Sequence, residues 1–245
     1  QTATEKRFFS EEGILVPGST GNGRREVDRS AMEETGTNVY QVMENAGLNL
    51  CVLAIEVLGR GLEKARIVTL AGSGGNGGGG ICASRHLANH GASVKLCLGD
   101  PNHLGEVSSF QRKIFGFTSG EEIEPTMIGE ELPDLILDAV IGYGLNRAPA
   151  GAAAELIQWA NQTNAPILAL DLPSGLNATT GEAPGDVIKP RWTMTLALPK
   201  TGLLPSNGGE LFLADIGIPK ATYCRLGLNY TSPFGERFNT PLIWR

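Results

Sequence analysis

Charge, sulfur and aromatic rings are all scarce in this chain of 245 residues. Charged residues make up 19% and aromatic residues 6%, with three histidines and four cysteines. Basic residues are outnumbered, 20 Lys and Arg against 26 Asp and Glu, giving a net charge of −6 and an isoelectric point near 5.2. That balance argues against a nucleic-acid partner, which needs a basic face, and gives no reason to expect an anionic membrane. The cysteines Cys51, Cys82, Cys97 and Cys224 never form C-x-x-C. Their spacing suits neither a zinc ribbon nor a disulfide-dense secreted scaffold, so a reducing, cytoplasmic setting is the expectation. His86 and His90 have i,i+4 spacing that could bind a metal, but no H-E-x-x-H accompanies them. His90, before Gly91, reads instead as a helix end. No S-x-x-K accompanies Lys200-Thr201-Gly202, and Ser174 lacks a G-x-S-x-G setting, which excludes two kinds of serine chemistry. An ordinary NAD-dependent oxidoreductase finds no Tyr-x-x-x-Lys pair here. The longest uncharged run, residues 67–84, holds seven glycines and would make a poor membrane span.

Glycine is abundant, at 33 residues, about twice average usage. Apolar residues reach 41%, enough for one sizeable core. Residues 1–23 are polar and read as a loose N-terminal arm. Residues 24–245 read as a single domain with a tail from about 220 that carries no periodic signal. A helix is expected over residues 24–34. Thr37 or Asn38 can cap a second one to about Leu58, with Val39, Val42, Met43, Ala46, Leu50, Leu53 and Val57 at helical spacing. Short apolar runs follow at 66–71, 93–98, 132–137, 166–170, 193–198 and 210–214. Helical stretches near 76–89, 105–117 and 151–161 separate several of them. Strands apolar throughout and alternating with helices imply a parallel sheet covered on both faces. The expected fold is α/β, a three-layer αβα Rossmann-like sandwich with a mostly parallel sheet.

The first of these runs ends in Gly72-Ser73-Gly74-Gly75-Asn76-Gly77-Gly78-Gly79-Gly80 and then a helix. Glycines permit the tight turn and let a ligand approach the helix N-terminus, where backbone N–H groups and the helix dipole favour phosphate. Gly72, Gly74 and Gly77 satisfy G-x-G-x-x-G, and Asp100 follows the second run, where a ribose-binding acid would sit. A strand-to-helix turn without a ligand would use the same glycines. Asp138-Ala139-Val140-Ile141-Gly142-Tyr143-Gly144-Leu145, Asp171-Leu172-Pro173-Ser174-Gly175 and Leu198-Pro199-Lys200 leave the next strands. In a parallel sheet these ends converge with the glycine loop in one crevice. Each aspartate could merely cap a turn, but two acids there make a site, since buried carboxylates demand partners.

These pieces resemble the YjeF N-terminal domain family, whose characterised members are NAD(P)HX epimerases. The resemblance runs from about Arg24 to Pro219. It rests on Arg25-Glu26-Val27-Asp28, Met43-Glu44-Asn45-Ala46-Gly47, the glycine loop, the three strand ends and Ala214-Asp215-Ile216-Gly217-Ile218-Pro219. It implies an NAD(P)H-hydrate epimerase acting on NADHX and NADPHX, with a potassium ion held by Asn76, Asp138 and Ser174. The implied substrate contacts are Gly75, Asn76, Gly77, Gly78, Gly79, Gly142, Tyr143, Gly144, Leu145, Asn146, Arg147, Ala148 and Asp171. Asp171 is the expected acid–base catalyst. Lys200 assists it electrostatically or is an ordinary strand-end lysine. Family precedent favours a homodimer, with neither nucleic acid nor membrane as partner. The family's loop reads G-x-G-N-N-G-G-D-G, so Gly75 replaces an asparagine and Gly79 an aspartate. That departure raises the alternative of a weakened or inactive member acting as a ligand-binding or scaffold protein, as relatives in enhancers of mRNA decapping do. If the loop alone is deficient, Gly79→Asp with Gly75→Asn restores affinity or turnover.

Overall fold

Strands and helices alternate along the chain as the apolar runs suggest, and their ends meet at one edge of the sheet. The structure, a computed structural model, describes residues 7–59, 61–129 and 132–245. The elements are β1 (Phe8–Phe9), β2 (Leu15–Val16), α1 (Gly21–Glu33), α2 (Val39–Leu58), β3 (Arg66–Ala71), α3 (Gly75–Asn89), β4 (Ser93–Leu98), α4 (Glu106–Phe115) and β5 (Glu121–Ile123). They continue with β6 (Leu135–Ala139), α5 (Ala152–Gln162), β7 (Ile167–Leu170), β8 (Trp192–Leu196), α6 (Pro205–Gly208), β9 (Glu210–Ala214), α7 (Lys220–Arg225), β10 (Asn239–Pro241) and β11 (Ile243–Trp244).

Eight strands form the main sheet in the order β10-β9-β8-β7-β6-β3-β4-β5, all parallel except β10. The chain runs from β3 outward through β4 and β5, then returns to β6 beside β3 and proceeds the other way. β3 therefore pairs with β4 (Ile67↔Val94) and β6 (Ile67↔Leu135), and the strand order reverses between β3 and β6. Open α/β sheets bind ligands outside the carboxyl ends of the strands at such a reversal. Ile81 and Leu87 of α3 cover one sheet face together with Leu50 and Leu53 of α2. Leu156, Ile157 and Ala160 of α5 cover the other.

Asn38, not Thr37, caps α2, accepting from the Tyr40 N–H at 2.7 Å, while Gln41 accepts from the Asn38 N–H at 2.9 Å. This helix is long and apolar enough to cross a membrane by length and composition alone, but it packs closely on α3. A Cβ on Gly47 would lie 2.4 Å from the Cys82 Cβ, so only glycine permits that crossing.

Residues 7–23 of the expected N-terminal arm are not loose, while residues 1–6 lie outside the described residues. β1 pairs with β2 and with β11, forming a three-stranded sheet that joins the two ends of the described chain. Phe8 and Val16 retain 3% and 1% of their exposure and pack against Leu172, Leu176 and Leu242. Two-residue apolar pairs are too short to show a period, and the third strand of their sheet, β11, lies at the far end of the sequence. Gly18-Ser19-Thr20 leads into a helix start: the Thr20 hydroxyl accepts from the Gly23 N–H at 3.0 Å, so α1 begins at Gly21. Beyond Pro219, α7, β10 and β11 likewise form ordered structure, with Tyr223 stacked on Tyr230 at 4.1 Å between centroids.

Phe8→Ala should cost about 3–5 kcal/mol of folding stability, as for a core phenylalanine. Urea denaturation would read this as a lower midpoint. A loss below about 0.5 kcal/mol, usual for surface positions, would return residues 7–16 to a loose arm.

Candidate active site

Where β3 and β6 diverge, a cavity of about 600 Å³ opens between the strand ends, α1 and α2. Its walls include Ser73 to Asn76 after β3, Val140 to Gly144 after β6, Asp171 after β7 and Leu196 at the end of β8. Glycines bring these ends together. A Cβ on Gly72 would lie 2.0 Å from the Val140 carbonyl oxygen, and one on Gly77 would lie 1.8 Å from the Gly72 oxygen. No side chain caps α3 at Gly74. Its first-turn N–H groups thus meet the cavity edge with no partner supplied by the helix itself, which favours an anion there. The opposite wall is apolar, formed by Val39, Val42, Met43 and Ala46 of α2 with Ala31 and Met32 of α1.

Asp171 is buried and holds a backbone φ of +69°, while Ala197, after the neighbouring strand, holds +62°. Each is the middle residue of a γ-turn: Leu172 N–H donates to the Leu170 oxygen at 2.9 Å, and Leu198 N–H to the Leu196 oxygen at 2.7 Å. Such turns are strained for residues with a Cβ and persist only where the surroundings fix them. Asp171 Oδ1 accepts from Lys200 Nζ, from the Thr195 hydroxyl at 3.2 Å and from the Leu196 N–H at 3.2 Å. Across the cavity the Tyr143 hydroxyl donates to Asp28 at 2.6 Å, and Asp28 also pairs with Arg24.

Asp138, the last residue but one of β6, is fully buried. The Ser174 hydroxyl donates to its Oδ1 at 2.5 Å and the Ser174 N–H to its Oδ2 at 2.8 Å. Burial still pushes its carboxyl up to about 6, because those bonds only partly replace water and no cationic side chain pairs with it among the described residues. Asn76 lies against Gly142, where a Cβ would meet its Oδ1 at 3.3 Å, and its buried Nδ2 has no hydrogen-bond partner. The carboxylate of Asp138 without a counter-charge, the hydroxyl of Ser174 bonded to it and the amide oxygen of Asn76 are hard oxygen donors, a chemistry compatible with a cation.

Residues 39–202 match the family model for the YjeF-related protein N-terminus. The chain belongs to that family. It is 49% identical to the NAD(P)H-hydrate epimerase of Dehalogenimonas lykanthroporepellens, over 93% of this chain and 94% of that one. It is 35% identical to the NAD(P)H-hydrate epimerase of Weissella koreensis, over 81% and 90%. The crystal structure of yeast ynu0 superposes with a TM-score of 0.74 at 20% identity, covering 89% of this chain and 97% of that one, which is a likeness of fold.

Within this YjeF-family cavity, Gly75, Asn76, Gly79, Gly142, Tyr143, Gly144 and Asp171 line the wall. Gly77 and Gly78 lie behind it, packed on Gly72 and Ser108. Leu145, Asn146 and Arg147 line a separate depression with Asn177 and Pro184, and Ala148 packs against Gly185. Asp100 is outside the cavity and bonds His103 at 2.9 Å. His90 stands at the end of α3, as its position before glycine suggests. His86 turns away from it to bond Glu44 at 2.8 Å. Glu44, Cys82 and His86 could jointly hold a metal, but Arg85 Nη2 lies among them, 2.5 Å from Glu44. Arg24 and Asp28, on a helix before the matched segment, were not expected in the wall; the Arg-Glu-Val-Asp motif was the available signal. Thr195 gave none.

Gly79 explains why restoring the family's loop is not a local repair. A Cβ there would lie 2.8 Å from Leu170 Cδ2, a fully buried side chain, whereas one on Gly75 meets only Met43 Cε at 3.5 Å. Leu170 crowds the position that an aspartate would need. Gly79→Asp should therefore lose about 1–3 kcal/mol by overpacking, and Leu170→Ala in the same chain should relieve that clash. Gly75→Asn should stay within about 0.5 kcal/mol. Urea midpoints test this, and equal effects at the two glycines would contradict it.

Proposed function

We propose that this chain is an NAD(P)H-hydrate epimerase, interconverting the R and S forms of hydrated NADH and NADPH. The observation that carries the reading is Asp171, a carboxylate with one oxygen tied to the protein and its residue facing a cavity rimmed by an uncapped helix N-terminus. Near-full-length similarity to proteins named for that activity supports it.

The α3 N-terminus suits the substrate's diphosphate, and the apolar wall of Val42, Met43 and Leu196 suits one face of the damaged ring. At carbon 6 of that ring, a hydroxyl stands next to the ring nitrogen. Asp171 gives a proton to the departing hydroxyl while the nitrogen lone pair fills the electron deficit. Water then adds to either face and returns a proton to Asp171. No electrons are gained or lost, so no redox partner is needed.

Asn76, Asp138 and Ser174 would hold a potassium ion, whose charge would offset the buried Asp138 carboxylate and brace the loops after β3, β6 and β7. The exposed Leu48 and Val52 on α2, beside Phe238, suit a homodimer contact. Four free cysteines suit a cytoplasmic location. A scaffold without turnover is the second reading, favoured by Leu170 crowding the family's aspartate position.

Chiral chromatography of R-form NADHX, with and without the protein, separates the two. The epimerase should speed racemisation, and Asp171→Asn should lower the rate on the order of a hundred- to ten-thousand-fold. The variant should stay folded, since the amide oxygen still accepts at Oδ1 and Lys200 can shed its proton. Equal racemisation with and without wild type would leave the scaffold reading. For the ion, potassium at about a hundred times its dissociation constant should stabilise the fold by roughly 2.7 kcal/mol, raising Tm above that in a bulky organic cation. Asp138→Asn should blunt the response, and like responses from both proteins would remove the ion from this site.

A further inference from the structure

We propose that Lys200 is the positioning residue and proton reservoir for Asp171, handing it the proton that departs with the substrate's hydroxyl and taking it back when water returns. The inference rests on the epimerase reading and assigns a role to a residue that does not line the cavity.

Lys200 is among the largest fully buried side chains of the protein. Its ammonium has three donors and three acceptors: Asp171 Oδ1, the Thr195 hydroxyl at 3.2 Å and the Leu196 carbonyl at 3.0 Å. Thr195 accepts from Lys200 and donates to the same Asp171 oxygen, closing a three-membered ring of bonds. The bonds that the Asp171 carboxylate accepts among the described residues, from Lys200, Thr195 and the Leu196 N–H, all fall on Oδ1. Oδ1 is therefore the oxygen that exchanges a proton with Lys200, in a carboxyl group that stands at the cavity wall. The lysine backbone is clamped as well. Ser19, just before α1, donates its N–H to the Pro199 oxygen at 2.8 Å and accepts from the Thr201 N–H at 3.0 Å.

A purely structural counter-ion gains nothing from being able to lose its charge; an arginine would serve. Lys200 is held where it can lose it. Burial pushes its ammonium down to about 8, against the pull of Asp171 and Asp28; Arg24 pushes the same way as burial. Tyr143, also facing Asp171, stays protonated because burial and the nearby acids raise its hydroxyl above its usual range. In the forward step Lys200 Nζ gives a proton to Asp171 Oδ1 and becomes a neutral amine; the carboxyl group, released from the ammonium, turns about Cβ–Cγ, and that same proton passes to the C6 oxygen. The C–O bond breaks with its electron pair leaving as water, and the ring nitrogen shares its lone pair with carbon 6. Addition of water reverses each transfer, leaving Lys200 charged and Asp171 ionised as at the start.

The test is the pH dependence of kcat for racemisation by the full chain, after subtraction of the uncatalysed rate. Wild type should lose kcat along an alkaline limb near pH 8, where Lys200 gives up its proton. Lys200→Met should lower kcat on the order of a hundredfold, abolish that limb and leave KM within about threefold. Thr195→Val, close in shape, removes one acceptor from the ammonium and should move the limb to lower pH. It decides the matter if Lys200→Met fails to fold. A wild-type kcat flat from about pH 7 to pH 9.5, or a limb unmoved in Thr195→Val, would overturn the proposal. No turnover in wild type would instead defeat the epimerase reading on which it rests.

Discussion

A carboxylate and an ammonium leave water together only if each completes the other's bonding, and the buried Asp171–Lys200 pair sets that condition for the whole site. Its two residues leave adjacent strands, β7 and β8, so the pair exists only because those strands are parallel neighbours in register. Two γ-turns aim them, with Asp171 and Ala197 in left-handed backbone that an isolated peptide would avoid. The N-terminal segment closes over Lys200 from the other side, which ties the small β11-β1-β2 sheet to the chemistry. Removing one partner of a buried pair typically costs several kcal/mol. Here that loss is softened, because a lysine already eased toward neutrality can shed its charge.

The reversal of strand order supplies the second constraint. It separates the loops after β3 and β6, and the gap between them becomes the cavity. Glycine at positions 72 and 77 lets backbone touch backbone there, while Asp138 and Ser174 join the β6 and β7 ends beneath it. One side of the cavity thus carries polar loops and an uncapped helix N-terminus, and the other is an apolar helix face. A dinucleotide with a hydrated ring needs both.

Much of this was legible in the sequence because the signals are local. Asp138, Asp171 and Ser174 stand directly after apolar runs, and a strand buried on both faces is apolar throughout, so strand, edge and acid could be read together. β5 was missed because its Glu121 and Glu122 are exposed at the sheet edge and carry no apolar signal. β1 and β2 were missed because two-residue pairs show no period, and β11, the strand that completes their sheet, is at the opposite end of the chain. The crowding of Gly79 by Leu170, and the closing of Thr195 onto both Lys200 and Asp171, depend on tertiary placement that no spacing encodes. Residues 145–147 show the opposite limit: a continuous motif in sequence divides between two depressions once folded.

In the proposed reaction Asp171 removes a hydroxyl from the ring and lets a fresh water take its place. Running the reaction in water enriched in oxygen-18 reads that event directly. Label should enter carbon 6 of both epimers at the rate of their interconversion, and Asp171→Asn should slow both together. Racemisation that proceeds while the original oxygen is retained would contradict it.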